Sequence, residues 1–350
     1  MKRVKMIDIS RNDNIIAKQA SKQASKQARR IGLIDVDGHN FPNLALMKIS
    51  AYHKSIGDSV EWYQPLFSGH IDKVYVSKVF SFTPDYEYYI DADEIVRGGT
   101  GYCIDLKDGK EVYCKEKDSV LPEEIEHQYP DYSIYGITDT AYGYMTRGCP
   151  RGCDFCIVGK KEGTRTYTVA PLSEFWHGQK KIVLLDPNPI AVPDWKDNLQ
   201  QLIDSKALVD FTQGMDIRLM TPEKAEYIKR IRIKAVHFAW DRYEDKEMIL
   251  PKFKAFKEVT EWHRSKLIVY VLTNFNTTLE QDLERVYTLR TLGFNPDLRI
   301  YEKYSLPKNH ILKKLQTYVN YRPLFNSVER FEDYDRLSEE QKEYVRSLNV

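Results

Sequence analysis

YMTRGCPRGCDFCIVGKK, residues 144 to 161, is the stretch on which the reading of this chain turns. It sets Cys149, Cys153 and Cys156 at C-x3-C-x2-C spacing behind a strand-like run, AYGYM, on a loop punctuated by Gly148, Pro150 and Gly152. Three thiols this close can converge on one metal centre, whereas a disulfide framework would leave one of them unpaired. Thiolates select zinc or iron-sulfur clusters over hard cations. Ligand number separates those two. Structural zinc takes four protein ligands, while a four-iron cluster on three cysteines leaves one iron open to another molecule. No fourth Cys or His lies inside the loop, and His177 is the nearest His in sequence. A reading of another class, a non-catalytic zinc or iron-sulfur protein in which the loop only staples the fold, needs that fourth ligand.

Downstream of the loop, strands and helices alternate. After the run at 141 to 146 come KIVLLDP (181 to 187), LVDFTQGMD (208 to 216), AVHFAWD (235 to 241), LIVYVLTN (267 to 274) and LRIYEKY (298 to 304). Helical stretches separate most of them, among them 221 to 231 behind a Thr cap with Pro222 at its first position, and 278 to 293 closed by Gly293. Six such units fall short of the eight that close a barrel. In parallel barrels the reactive face lies at the C-terminal ends of the strands. The candidates there are Asp186 and Asn188 after the second strand, Gln213, Asp216 and Arg218 after the third, and Asp241 after the fourth. Carboxylates and amides can hold an ammonium group or hydroxyls, and Arg218 can pair with a carboxylate. Taken singly, each is equally well read as a strand-end cap or an ion pair. His237, inside the fourth strand, reads as a barrel-layer residue. The tail from Leu306 holds a helix at 338 to 348 behind a Ser cap.

Upstream, IGLIDVD (31 to 37) suits the central strand of a parallel sheet. A helix at 43 to 56 capped by Asn43 follows, then strands at 58 to 63 and 73 to 82. Strand, helix, strand means a crossover and a parallel sheet, so residues 31 to 135 read as a small Rossmann-like α/β domain. Cys103 and Cys114 flank DLKDGKEV, a hairpin that would set them opposite each other. Both are expected to be free in a reducing cell. Residues 17 to 30, AKQASKQASKQARR, repeat a KQAS unit without a broad apolar stripe and read as a solvated, partly helical arm.

The cysteine loop resembles the signature of the radical S-adenosylmethionine (SAM) superfamily, with the aromatic Phe155 directly before the third cysteine. The resemblance implies a 4Fe-4S cluster on Cys149, Cys153 and Cys156, an open iron that chelates the amino and carboxylate groups of SAM, and Phe155 near the adenine. It also implies one-electron cleavage of SAM to start radical chemistry, with an electron donor such as flavodoxin or ferredoxin and an unidentified substrate. The six units match the partial (β/α)6 TIM-type barrel of that superfamily. The expected class is therefore α/β: a basic extension (1–30), a Rossmann-like domain (31–135), a radical SAM core barrel (136–305) and a helical C-terminal extension (306–350).

A Rossmann-like domain ahead of such a barrel is similar to the arrangement of the cobalamin-binding subfamily, whose D-x-H-x-x-G loop supplies a lower-axial imidazole. Asp37, Gly38 and His39 follow the first strand here, but Pro42 stands where the pattern has Gly, and Ser81 and Gly98-Gly99 match later corrinoid contacts only loosely. The reading therefore favours a radical SAM enzyme without cobalamin, with a cobalamin-dependent methyltransferase as the alternative. Methylthiotransferases are disfavoured, because that family carries three further cysteines in its first domain and only Cys103 and Cys114 stand here.

Lys plus Arg at 52 against Asp plus Glu at 51 leaves almost no net charge, so no global field draws the protein to nucleic acid. No apolar run reaches the length of a membrane span and no apolar signal core opens the chain, so a cytoplasmic protein is expected. A reducing compartment also suits the thiolates.

Overall fold

The computed structural model describes residues 28–38, 40–107, 110–348 and 350. Most of the KQAS repeat, His39 and the turn at Asp108-Gly109 lie outside the described residues. Two parallel sheets carry the fold, which is mixed α/β as expected. The first has four strands in the order β2-β1-β3-β4: β1 (Arg30–Asp35), β2 (Ser59–Trp62), β3 (Ile71–Ser77) and β4 (Ala92–Gly98). Every pairing in it is parallel. Ile31 and Leu33 of β1 face one apolar layer and Ile34 the other, as expected of a central strand covered on both sides. The strand expected over 73 to 82 stops at Ser77. Asp37 is the cause: its carboxylate accepts from the backbone N–H groups of Val79 and Phe80 and from the Thr83 hydroxyl, drawing the chain out of the sheet.

A hairpin follows, β5 (Ile104–Lys107) with β6 (Lys110–Tyr113), in the register expected, Lys107 opposite Lys110. The Cys103 carbonyl accepts from Cys114 N at 2.8 Å and both thiols are free. Next come β7 (Thr140–Gly143), a short antiparallel pair β8 (Thr146–Arg147) and β9 (Tyr167–Thr168), then β10 (Lys181–Leu184), β11 (Leu208–Met215), β12 (Ile233–Ala239), β13 (Leu267–Thr273) and β14 (Asn295–Ile300). The second sheet runs β14-β13-β12-β11-β10-β7, parallel throughout.

The helices are α1 (Leu44–Ser55), α2 (Glu123–Glu126), α3 (Val158–Lys161), α4 (Trp195–Ser205), α5 (Pro222–Arg230), α6 (Lys246–Thr260), α7 (Leu279–Thr291), α8 (Ile311–Asn320), α9 (Arg322–Ser327) and α10 (Glu339–Arg346). Their starts follow from local chemistry. Asn43 accepts from Leu46 N at 3.2 Å, Thr221 caps α5 with Pro222 inside it, and Thr278 with Gln281 closes a capping box on α7. None of the helices among the described residues is long and apolar enough to cross a membrane.

Alternation along the strands separates two faces of the six-stranded sheet. Val236 and Phe238 of β12 point to the helices, where Phe238 meets Phe253 and Phe256 of α6 edge-on at 5.8 and 4.9 Å. His237 and Ala239 point the other way, onto the concave face, and are half-buried. The tail beyond Leu306 lies along an edge of the sheet. The Asn320 side chain of α8 accepts from Leu298 N at 2.8 Å, Gln316 and Asn320 donate to Leu298 O, and Arg322 donates to Pro296 O.

Candidate metal centre and its rim

The cysteine loop leaves the C-terminal end of β7 and returns through β9, so the β8–β9 pair holds it like the neck of a bag. Gly148 is obligatory in this neck: its φ is +77° and a Cβ there would lie 2.1 Å from the Arg165 carbonyl oxygen. Glu162 ties the same point, accepting from Gly148 N at 3.0 Å and from Arg147 at 2.9 Å, while the Arg147 guanidinium lies 3.6 Å from the centre of the Tyr144 ring. Cys149 N donates to Gly163 O and Cys156 N to Cys153 O, which coils the three cysteines onto one short path. All three are half-buried and free. Burial pushes the Cys153 and Cys156 thiols up, and nearby Asp241 and the neighbouring thiols add to it.

Asp186 takes a different place from the one its position suggests. It is buried, and its oxygens accept from Met145 N at 2.9 Å and from the Thr146 N–H and hydroxyl at 2.6 Å each. Burial pushes its carboxyl up to about 7 against the pull of those donors. Asp186 thus pins the start of the cysteine loop. Asn188 reaches the loop itself, with Nδ2 3.9 Å from Cys149 Sγ, and its Oδ1 accepts from Asp216 N at 3.3 Å. Asp216 accepts from Arg151 of the loop and from Arg218, whose other end donates to Asp245 at 2.6 Å.

Gln213 stands exposed on a bulge. Phe211 pairs with Val236 but Met215 pairs with Phe238, so three residues of β11 oppose one of β12. The carbonyls of Phe211 and Thr212 are taken by His237 Nδ1 at 2.5 Å and Tyr270 OH at 3.0 Å, whose rings stack at 5.1 Å. Asp241 is the carboxylate at this rim with no hydrogen bond among the described residues. Burial pushes it up to about 6, opposed by Arg285 and Arg218. It borders a cavity of about 10 Å³ with Cys153, Arg218, Trp240 and Asp245, room for a single water. Phe155 meets Phe275 edge-on at 5.4 Å, and Phe275 meets Tyr301 at 5.0 Å, so aromatic rings from the loop and from the ends of β13 and β14 form a row.

Sequence reasoning missed Arg285 and Asp282, which lie on α7 with no motif around them. Fully buried, Arg285 donates to the carbonyls of Trp240, Asp241 and Leu272 and to Asp282, fixing the strand ends that carry Asp241. His177 lies apart from the cysteines, stacked on Tyr129 at 3.9 Å and bonded to the Ser173 carbonyl.

No protein-family model matches the sequence, and no curated protein matches it either. Among solved structures, the chain is similar to the radical S-adenosylmethionine methyltransferase TsrM from Kitasatospora setae with cobalamin and a 4Fe-4S cluster bound, at a TM-score of 0.53 and 10% identity over 78% of this chain and 75% of that one. The chain has a radical SAM fold. TsrM with its tryptophan substrate and a SAM analogue bound aligns equally well, at a TM-score of 0.53 and 11% identity over 77% and 73% of the two chains. The cobalamin-dependent SAM radical enzyme OxsB, with aqua-cobalamin and SAM bound, aligns over 86% of this chain and 56% of its own at a TM-score of 0.49 and 12% identity.

Three free, half-buried thiols on one short loop are soft donors of the kind an iron-sulfur cluster takes. Among the described residues, no three His, Cys, Asp or Glu side chains are gathered to hold one metal ion, the geometry zinc requires. A cluster in which each thiolate takes its own iron needs the sulfurs apart. A carboxylate without a hydrogen bond, Asp241, waits beside Cys153.

Proposed function

We propose that this chain is a radical SAM enzyme in which Cys149, Cys153 and Cys156 bind a 4Fe-4S cluster and the rim binds SAM. The observation that carries the reading is the joining of the cysteine loop, through the Cys149 thiol and Arg151, to Asn188, Asp216 and Arg218 in one contact network at the C-terminal ends of β10 and β11. When bound, the pair supplies one-electron cleavage of SAM to methionine and a 5'-deoxyadenosyl radical that abstracts hydrogen from a substrate.

The chain's own residues divide the remaining work. Asn188 steadies the Cys149 sulfur and, through Asp216, ties it to Arg151 and Arg218. The Asp241 carboxylate, without a hydrogen bond among the described residues, is available to an ammonium or ribose hydroxyl. Gln213 is held outward on its bulge for the same purpose, and the row Phe155, Phe275 and Tyr301 offers ring faces to a flat base. Asp186 acts on the loop and leaves the ligand to others. A one-electron donor such as flavodoxin or ferredoxin and a reducing, cytoplasmic setting complete the proposal.

Anaerobic reconstitution with iron and sulfide, then dithionite and SAM, tests it. Brown protein with iron bound and 5'-deoxyadenosine released is the expected result, and Cys149→Ala, Cys153→Ala and Cys156→Ala each abolish both. One zinc per chain without iron or sulfide, or a reduced cluster that leaves SAM intact, sinks the reading. A second reading, corrinoid-dependent methyl transfer, is favoured by the cofactors bound to TsrM.

A further inference from the structure

In open parallel sheets, ligands bind outside the carboxyl ends of the strands at the point where strand order reverses. In the order β2-β1-β3-β4 that point lies between β1 and β3. This is where a corrinoid carried by the N-terminal domain would need its seat, and the chain runs the backbone of its own segment 78–83 across it. Val36 N donates to Ser77 O at 3.0 Å and Asn43 Nδ2 to Ser77 Oγ at 2.8 Å, which laces the two strand ends together. Above them, Asp37 holds the segment 78–83 through Val79 N, Phe80 N at 3.3 Å and Thr83 Oγ1 at 2.6 Å. Asp37 is the acidic residue of the D-x-H pattern, and both of its oxygens are engaged by the segment 78–83.

From the β4 side the packing is equally close. Gly101 N donates to Lys78 O at 2.9 Å, a Cβ on Gly99 would lie 2.3 Å from Lys78 O, and one on Gly101 would lie 2.8 Å from Phe80 O. The glycines after β4 therefore admit the chain's own backbone where they would otherwise leave room for a ligand. The same segment lifts Phe80 and Phe82, stacked at 5.2 Å, so that Phe82 meets Tyr304 beyond β14 at 5.5 Å.

We propose that residues 78–83 are the permanent occupant of the ligand crevice of the Rossmann-like sheet, so that no corrinoid binds this chain and the domain serves as a fixed wall of the barrel mouth. The inference rests on the radical SAM reading only for its consequence: the reaction is hydrogen abstraction without a corrinoid methyl carrier.

The test uses the full chain and hydroxocobalamin. The reconstituted protein is mixed anaerobically with excess hydroxocobalamin and gel-filtered; the expected result is no co-eluting corrinoid and an unchanged corrinoid spectrum. One corrinoid per chain with a shifted spectrum overturns the proposal. Chymotrypsin then reads the clamp: Asp37→Ala is expected to speed cleavage after Phe80 and Phe82 several-fold with circular dichroism unchanged. Thr83→Val, which removes one hydroxyl only, gives a smaller increase. Cleavage at the wild-type rate in both variants overturns the clamp. Iron content and 5'-deoxyadenosine, measured on the same samples, report separately on the cluster, so the two readings fail independently.

Discussion

Asp186 shows that a strand-end carboxylate can be committed to the backbone of a neighbouring loop. Its oxygens face two backbone N–H groups and a hydroxyl at the start of the cysteine loop. Asp186→Asn turns an amide NH2 toward those donors and is expected to cost about 1–3 kcal/mol in a denaturant titration. It also lowers the iron taken up on reconstitution. The acidity has a direction as well. The carboxyl is raised from an ordinary 3.8 to about 7, so the folded state keeps a proton that the unfolded chain releases. Stability from this group is fully present below about pH 4 and is lost as pH rises through 7, on the order of 4 kcal/mol at most. The stability gap between wild type and Asp186→Asn should therefore narrow from pH 4 to pH 8; a gap that widens contradicts the assignment. At this scale the loop itself was legible, because C-x3-C-x2-C spacing sets three thiols on one short path between β8 and β9. The direction of Asp186 was not, since a residue just past a strand carries no mark of whether it turns out to the mouth or back under the loop. Asn188, Asp216 and Arg218 look alike in sequence, and only the contacts separate their roles.

Helix α7 carries the least advertised part of the rim. Asp282 and Arg285 look in sequence like a surface i, i+3 pair, yet both are fully buried and join the ends of β12 and β13. Arg285→Ala leaves a buried carboxylate and three carbonyls without their partner, and a loss of roughly 3–5 kcal/mol is expected from urea unfolding. Replacing both by apolar residues, Asp282→Leu with Arg285→Met, should recover part of that loss. Thr278→Ala, which removes one half of the capping box on the same helix, is expected to cost only about 1 kcal/mol. The element boundaries divide in the same way between local and distant causes. Caps and periodicity fixed α1, α5, α7 and α10 to within a residue or two. The end of β3 depended on Asp37, forty residues away, and β14 begins before its expected start because Pro296, which reads as a breaker, is tolerated on an edge strand. Helix α6 runs through Pro251, another residue that masks the pattern.

The two sheets are not independent bodies on a string. Met47 of α1 lies in the same apolar core as the barrel residues, Tyr132 OH donates to Phe175 O at 2.8 Å, and Lys161 beside the cysteine loop pairs with Asp118 at 2.7 Å. Urea unfolding followed by tryptophan fluorescence and by far-UV circular dichroism is expected to give coincident single transitions. Two separated midpoints would show that the shared core does not couple them. The alternation of strands and helices made the six-stranded sheet visible in sequence, whereas the role of the tail had no local signature. Strand β14 ends the sheet, and its outward backbone groups are satisfied by Gln316, Asn320 and Arg322. A chain cut after Tyr304 would present bare peptide groups to any passing copy of itself. Such a fragment should grow into fibrous, dye-binding material that pellets, and the closing segment is therefore what keeps each molecule a finite object.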